Sequence, residues 1–220
     1  MSLVLVIGNK NYSSWSLRPW VFLRHMGVAF EERRLPLDTP EFRGEIARWS
    51  PSGRVPVLHD GELVIWDSLA ICEYVSRQYL DGRGWPRERV ALANALSAAA
   101  EMHSGFTALR TQLPMNCRRR PDAYRWDADA QRDIDRVQEL WRDLRTRRGA
   151  GGAFLCGEFG IVDAMFAPVA VRFRAYGVEC DPVSAAYRDA LFALPAMREW
   201  DAAAAVEAER IEKYETLGTG

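Results

Sequence analysis

Strand-like and helical patterns alternate through the first 80 residues, and the strand-like runs then stop. LVLVIG at 3–8 reads as a buried strand, and WSLRPWVFLRHMG at 15–27 as a helix ended by Gly27. AFEERRLP at 29–36 alternates as a second strand, and PEFRGEIARWS at 40–50 is a short helix capped by Thr39 and opened by Pro40. VPVLHDGELVIW at 55–66 is two brief strands about the Asp60-Gly61 turn signal, and DSLAICEYVSRQYL at 67–80 returns to a helical face. The order is β-α-β-α-β-β-α, which demands a small mixed sheet with helices packed on it. DGRGWP at 81–86 reads as a linker. From 87 to 220 only helical periods occur, with long helices predicted over 87–113, 122–147 and 161–177 and shorter ones to about 205. The fold class is therefore α/β plus all-α, with domains at 1–80 and 87–220. The tail after Val206 is polar and is expected to be partly ordered.

Charge narrows the function. The net charge is −1, and residues 1–80 carry 9 basic and 9 acidic side chains, so neither half is a polycation built for nucleic acid or an anionic membrane. No apolar run approaches the roughly 20 residues of a membrane helix, and the opening lacks the basic start of a signal peptide. Cys72, Cys117, Cys156 and Cys180 are scattered, with neither metal-ligand spacing nor a disulfide framework; a reducing cytoplasm and no metal are expected.

Pro19 loses no hydrogen bond in a first helical turn, so the first helix is expected to begin near Ser16 or Leu17. That places the hydroxyls of Ser13, Ser14 and Ser16 where free amides converge. They serve either as caps or as donors to a reactive group. Pro56 cannot donate to a central ladder and belongs at a strand start; were Val55-Pro56 cis, the Val55 main chain would be free to pair with an extended peptide. Asp67-Ser68 lies at another helix start, a place that attracts a carboxylate. His103, Phe106 and Arg110 follow at helical spacing on one expected face. Arg172 and Arg174 fit a carboxylate-binding pair or two surface arginines equally well.

Taken in order, PSGRVPVL (51–58), WDS (66–68) and GEFGIVDA (157–164) resemble the cytosolic glutathione S-transferase family along essentially the whole chain. SSWSLRPW is similar to the serine motif of its zeta class, which includes maleylacetoacetate isomerases, and the chain looks like a bacterial member. The resemblance implies a thioredoxin-like first domain that binds glutathione as co-substrate, without metal, and a helical domain that shapes the pocket for a small electrophile. It implies a cis Pro56, glutathione contacts at Trp15, Arg54, Val55, Pro56, Asp67 and Ser68, and thiolate stabilisation by Ser13, with Ser14 beside it as the second candidate. It further implies second-substrate contacts at His103, Phe106 and Arg110, and a cytoplasmic homodimer active in detoxification. Trp15 is equally a pocket wall or a packing residue, and it stands where the zeta pattern has cysteine, which favours transfer over isomerisation. A glutathione-binding protein of the same fold without turnover is the rival from another class. Gly160 stands where the family's helix-capping motif has Ser or Thr, and Asp163 supplies its acidic residue.

Overall fold

The computed structural model describes residues 3–149 and 151–217. Four strands, β1 (Leu3–Ile7), β2 (Phe30–Arg34), β3 (Val57–Asp60) and β4 (Leu63–Trp66), form one sheet in the order β2-β1-β3-β4. β2 runs parallel to β1, as a helical crossover requires, while β3 and β4 are antiparallel neighbours joined at the Asp60-Gly61 turn. Three helices accompany the sheet: α1 (Ser14–His25), α2 (Pro40–Trp49) and α3 (Ser68–Tyr79). Thr39 caps α2 by accepting from the Phe42 amide at 3.1 Å, with Pro40 in the first turn. This is a thioredoxin-like unit, and a helical unit follows it.

The helical unit comprises α4 (Arg89–Ser104), α5 (Thr107–Gln112), α6 (Ala128–Arg148), α7 (Ile161–Tyr176), α8 (Pro182–Ala193), α9 (Pro195–Ala205) and α10 (Glu212–Glu215). α7 is apolar around nearly its whole circumference and is accordingly the buried centre, packed on α1, α4 and α8. Trp20 of α1 meets Trp200 of α9 edge-on at 5.1 Å, so one core runs through both halves. A smaller cluster of Val6, Leu35, Ile46 and Val57 fills the other side of the sheet under α2.

Two expectations are corrected. α1 starts at Ser14, so Pro19 lies in its second turn and the residue it leaves without a donor is Trp15, still in the first turn. The helix predicted over 87–113 is broken: Phe106 adopts a left-handed conformation (φ 59°, ψ 43°) between α4 and α5. His103, Phe106 and Arg110 therefore do not share one helix face. The polar tail folds back on the first loop, where Glu207 accepts from the Lys10 and Asn11 amides at 2.7 and 2.9 Å; the end of that tail, residues 218–220, lies outside the described residues.

Gly160 has a tertiary explanation. A Cβ built there would sit 2.5 Å from the Gly84 carbonyl oxygen, which itself accepts from the Ile161 amide at 2.8 Å. The linker carbonyl occupies the place of a capping side chain. Buried Asp163 completes the turn, accepting from the Gly160 and Leu155 amides at 2.9 and 3.0 Å.

Candidate functional site

A cavity of about 390 Å³ opens beside the start of α1, between the sheet-bearing and helical halves. Ser13, Ser14, Trp15, Arg54, Val55 and Arg110 lie on its wall, so the structure gathers residues from three separate stretches of sequence. A larger groove of about 850 Å³ runs between the linker and the loop before α7, and none of those residues reaches it.

The hydroxyls at the α1 start are not caps. Ser13 occupies the N-cap position, yet its side chain accepts from no amide of the helix. It donates instead to Ser16 Oγ at 2.7 Å, and Ser16 Oγ accepts from the Gly8 amide at 3.1 Å. Ser14 Oγ has no hydrogen-bond partner among the described residues, although Ser14 is only 8% exposed. Of the two candidate donors, Ser14 is thus the one whose proton is uncommitted. Neighbouring Tyr12 is no competitor: its hydroxyl donates to Glu215 and accepts from Arg118 Nη2 at 2.8 Å and the Ile211 amide at 3.2 Å. Burial first, and Glu215 second, raise its pKa.

Val55-Pro56 is cis, and β3 starts only at Val57. The Val55 N–H and C=O have no partner among the described residues, and Val55 borders the cavity. Across from it Trp15 is a shared platform. The guanidinium carbons of Arg18 and Arg110 lie 4.2 and 4.7 Å from its ring centroid, and His103 meets it edge-on at 5.4 Å. Trp15 is thus wall and packing residue together.

Asp67, at a positive φ of 77°, caps α3 by accepting from the Leu69 and Ala70 amides at 2.9 and 3.3 Å. Its second oxygen is 3.1 Å from His103 Nε2. Ser68 is buried, its hydroxyl accepting from Arg18 Nη1 at 3.4 Å. Pro56, Asp67, Ser68, His103 and Phe106 are not on the cavity wall; Asp67 and His103 join it through Trp15, whereas Phe106 is buried in the core. Arg110 donates to the carbonyls of Met102, His103 and Gly105, a cation placed on the C-terminal end of α4.

Two wall residues had no local signal in the sequence. Lys213 and Tyr214 arrive with the returning tail, more than 150 positions along the chain from α1. Arg172 lies on the wall and is 3% exposed, not a surface arginine, while Arg174 is paired with Asp201 at 3.0 Å.

The protein's own thiols are poorly placed for sulfur chemistry. All four cysteines are free and none lines the cavity. Burial pushes Cys117 and Cys156 up to about 12 and raises Cys72 further still. Among the described residues no group of three or more His, Cys, Asp and Glu side chains gathers, and no helix is long and apolar enough to cross a membrane.

Comparison with known proteins bears on this geometry. The family model for "Glutathione S-transferase, N-terminal domain" matches residues 12–78, and that for "Glutathione S-transferase, C-terminal domain" matches 125–200, together well over half the chain. Dichloromethane dehalogenase of Methylorubrum extorquens is 38% identical over 68 residues, 29% of this chain and 22% of that protein. A Vibrio cholerae protein named "Probable maleylacetoacetate isomerase" is 33% identical over 111 residues, 47% of this chain and 50% of its own. The chain thus aligns with half or less of the length of these curated relatives. The fold matches a glutathione transferase homologue from Burkholderia, crystallised with glutathione, at a TM-score of 0.72 and 21% identity over 94% of this chain and all of that one. It matches a glutathione S-transferase from the clam Laternula elliptica at 0.69 and 18% identity over both chains' full length.

Proposed function

Because the chain belongs to the glutathione S-transferase family, we propose that it binds glutathione in the cavity at the α1 start and joins it through its sulfur to a small electrophile. The observation that carries this is the meeting, on one wall, of a serine hydroxyl and a Val55 main chain that both lack partners among the described residues. In the proposed complex, glutathione lies extended along Val55, near Trp15, Arg54 and Pro56, with its γ-glutamyl end toward Asp67 and Ser68.

An ordinary thiol has a pKa near 8.5, so only a few per cent is thiolate at neutral pH. A hydrogen bond to a charged group is worth about 1.5–3 kcal/mol, which lowers that pKa by about one to two. First-turn amides and the helix dipole add about 0.3–1 kcal/mol. A serine donor is sufficient, and no general base is required. The thiol proton passes to water, the sulfur lone pair forms a C–S bond, and the leaving group departs with the electron pair of its own bond to carbon. Addition to an activated alkene differs in that the displaced pair collects a proton from water. Trp15, Phe42, Met115 and Tyr214 give the cavity apolar surface for the organic part of the electrophile. His103 orients the platform, and Arg110 borders the second-substrate end.

Glutathione-assisted cis-trans isomerisation is the second reading, favoured by the partial identity to the Vibrio protein. There the sulfur adds and leaves again, and glutathione is not consumed. We further propose a cytoplasmic homodimer, on the free thiols and the exposed Leu63, Trp66, Tyr79, Val90 and Leu96. Calorimetric titration with glutathione, followed by a panel of aryl halides and activated alkenes, is the test. Binding with conjugation supports transfer, and binding with turnover but no glutathione loss supports isomerisation. Binding without turnover points to a glutathione-binding protein, and absence of binding overturns all three.

A further inference from the structure

Arg172 lies near the end of α7, on the wall of the same cavity as Ser13 and Ser14, and is 97% buried by its 3% exposure. Its Nε donates to the Leu113 carbonyl at 2.8 Å. Its two terminal nitrogens have no acceptor among the described residues, and Nη1 is fully enclosed. No carboxylate among the described residues forms an ion pair with it. A buried guanidinium in that state is costly unless an anion completes it.

The surrounding charges sharpen the deficit. Burial first, and the nearby Arg110 guanidinium second, lower Arg172 to about 10, so it stays a cation at neutral pH. The acidic side chain of the cavity wall, Asp38, is held by Lys213 Nζ at 2.9 Å. Arg174 has Asp201 and Arg118 has Glu215, whereas buried Arg18, off the cavity wall, stacks on Trp15 with no ion pair among the described residues. Arg172 is left with a cavity instead. Arg110 on the same wall spends Nε and Nη2 on backbone carbonyls, and its Nη1 has no protein acceptor among the described residues.

We infer that the second substrate carries a carboxylate, and that Arg172, assisted by Arg110, recognises it. This rests on the transfer reading above and narrows its substrate class. Glutathione also carries carboxylates, but the groups proposed to hold it, Arg54, Val55, Asp67 and Ser68, belong to the sheet-bearing half. Arg172 and Arg110 come from α7 and α5 on the helical side. A planar, forked guanidinium suits a carboxylate in two-point contact.

The test is a matched pair: 4-chloro-3-nitrobenzoate and its methyl ester, each conjugated with glutathione, with kcat/KM divided by the uncatalysed rate. The wild type is expected to favour the acid by about tenfold or more, the yield of one charge-assisted hydrogen bond. Arg172→Gln should lower that acid-to-ester ratio at least as far, and Arg172→Lys should restore part of it. In parallel, calorimetry with unreactive 3-nitrobenzoate and methyl 3-nitrobenzoate reads the wild-type site without turnover or mutation. Tighter binding of the acid, lost in Arg172→Gln, supports the anion site even if neither chloride reacts, in which case the transfer reading fails alone. Conjugation of the ester with no acid preference in rate or binding overturns the inference and leaves transfer intact. A rise in the KM for glutathione in Arg172→Gln with the ratio unchanged also overturns it, since the anion is then glutathione's own.

Discussion

Asp67 Oδ2 and His103 Nε2 face each other at 3.1 Å where the sheet-bearing half meets the helical half. Burial is the main cause that lowers the His103 pKa, reinforced by Arg18 and Arg110, while Asp67 opposes them. The imidazole is therefore neutral at pH 7, with its proton on Nε2, and the enclosed Nδ1 has no partner among the described residues. The contact is a hydrogen bond, and His103 in turn meets the edge of Trp15.

Asp67→Asn removes the carboxylate. Asn tolerates a positive φ and still caps the helix, but its amide donates where His103 Nε2 needs an acceptor, so the melting temperature should fall by a few degrees. The dissociation constant for glutathione should rise about tenfold, the difference between a charged and a neutral acceptor. Calorimetry decides it; unchanged affinity would remove Asp67 from the glutathione site.

Ser14→Ala and Ser13→Ala separate the two hydroxyls. The variant that removes the sulfur's donor should raise the pKa of bound glutathione by about one to two, read from thiolate absorbance against pH. Ser14 is the expected position, because Ser13 must first break its bond to Ser16. If neither variant moves the titration, backbone amides hold the thiolate.

Gly160→Ser restores the side chain usual at the family's cap, yet it should destabilise. The new Cβ meets the Gly84 carbonyl oxygen, and the linker has to shift. A loss of about 1–3 kcal/mol in urea unfolding is expected, where a simple capping argument predicts a gain.

Asp163 sets a pH dependence. Burial raises its carboxyl from 3.8 to about 6, against the pull of the Leu155 and Gly160 amides. Between those values the folded state holds a proton that the unfolded chain has released, so this group's contribution to stability falls as pH rises from 4 to 6. Asp163→Asn does not titrate. The stability of the wild type relative to this variant should therefore shrink by about 2–3 kcal/mol across that window. Denaturant unfolding at pH 4.5 and pH 7 measures it; a gap that widens would reverse the assignment.

Trp66→Arg addresses the homodimer. Trp66 and Leu63 project from the edge strand β4 and are 51% and 57% exposed. Sedimentation should give the wild type twice the 25.0 kDa chain mass and the variant the chain mass alone. A monomeric wild type would end the proposal.

Sequence alone determined what neighbouring residues decide among themselves. The βαβαββα order follows from short-range hydrophobic period, the Thr39 and Asp67 caps from side chains reaching amides two or three positions away, and the Asp60-Gly61 turn from backbone preference. The wall residues Ser13, Ser14 and Val55 were legible from their places before α1 and beside Pro56, whereas Trp15 and Arg54 were expected only from the family resemblance. Tertiary structure alone decided the direction of a hydroxyl, the break at Phe106, the need for Gly160, and the burial of Arg172 without a carboxylate. Each of these depends on which distant atom occupies the adjoining space: Ser16 against Gly8, Gly84 against Gly160, the returning tail against Tyr12. A periodic pattern records which face is buried, but not what is buried beside it.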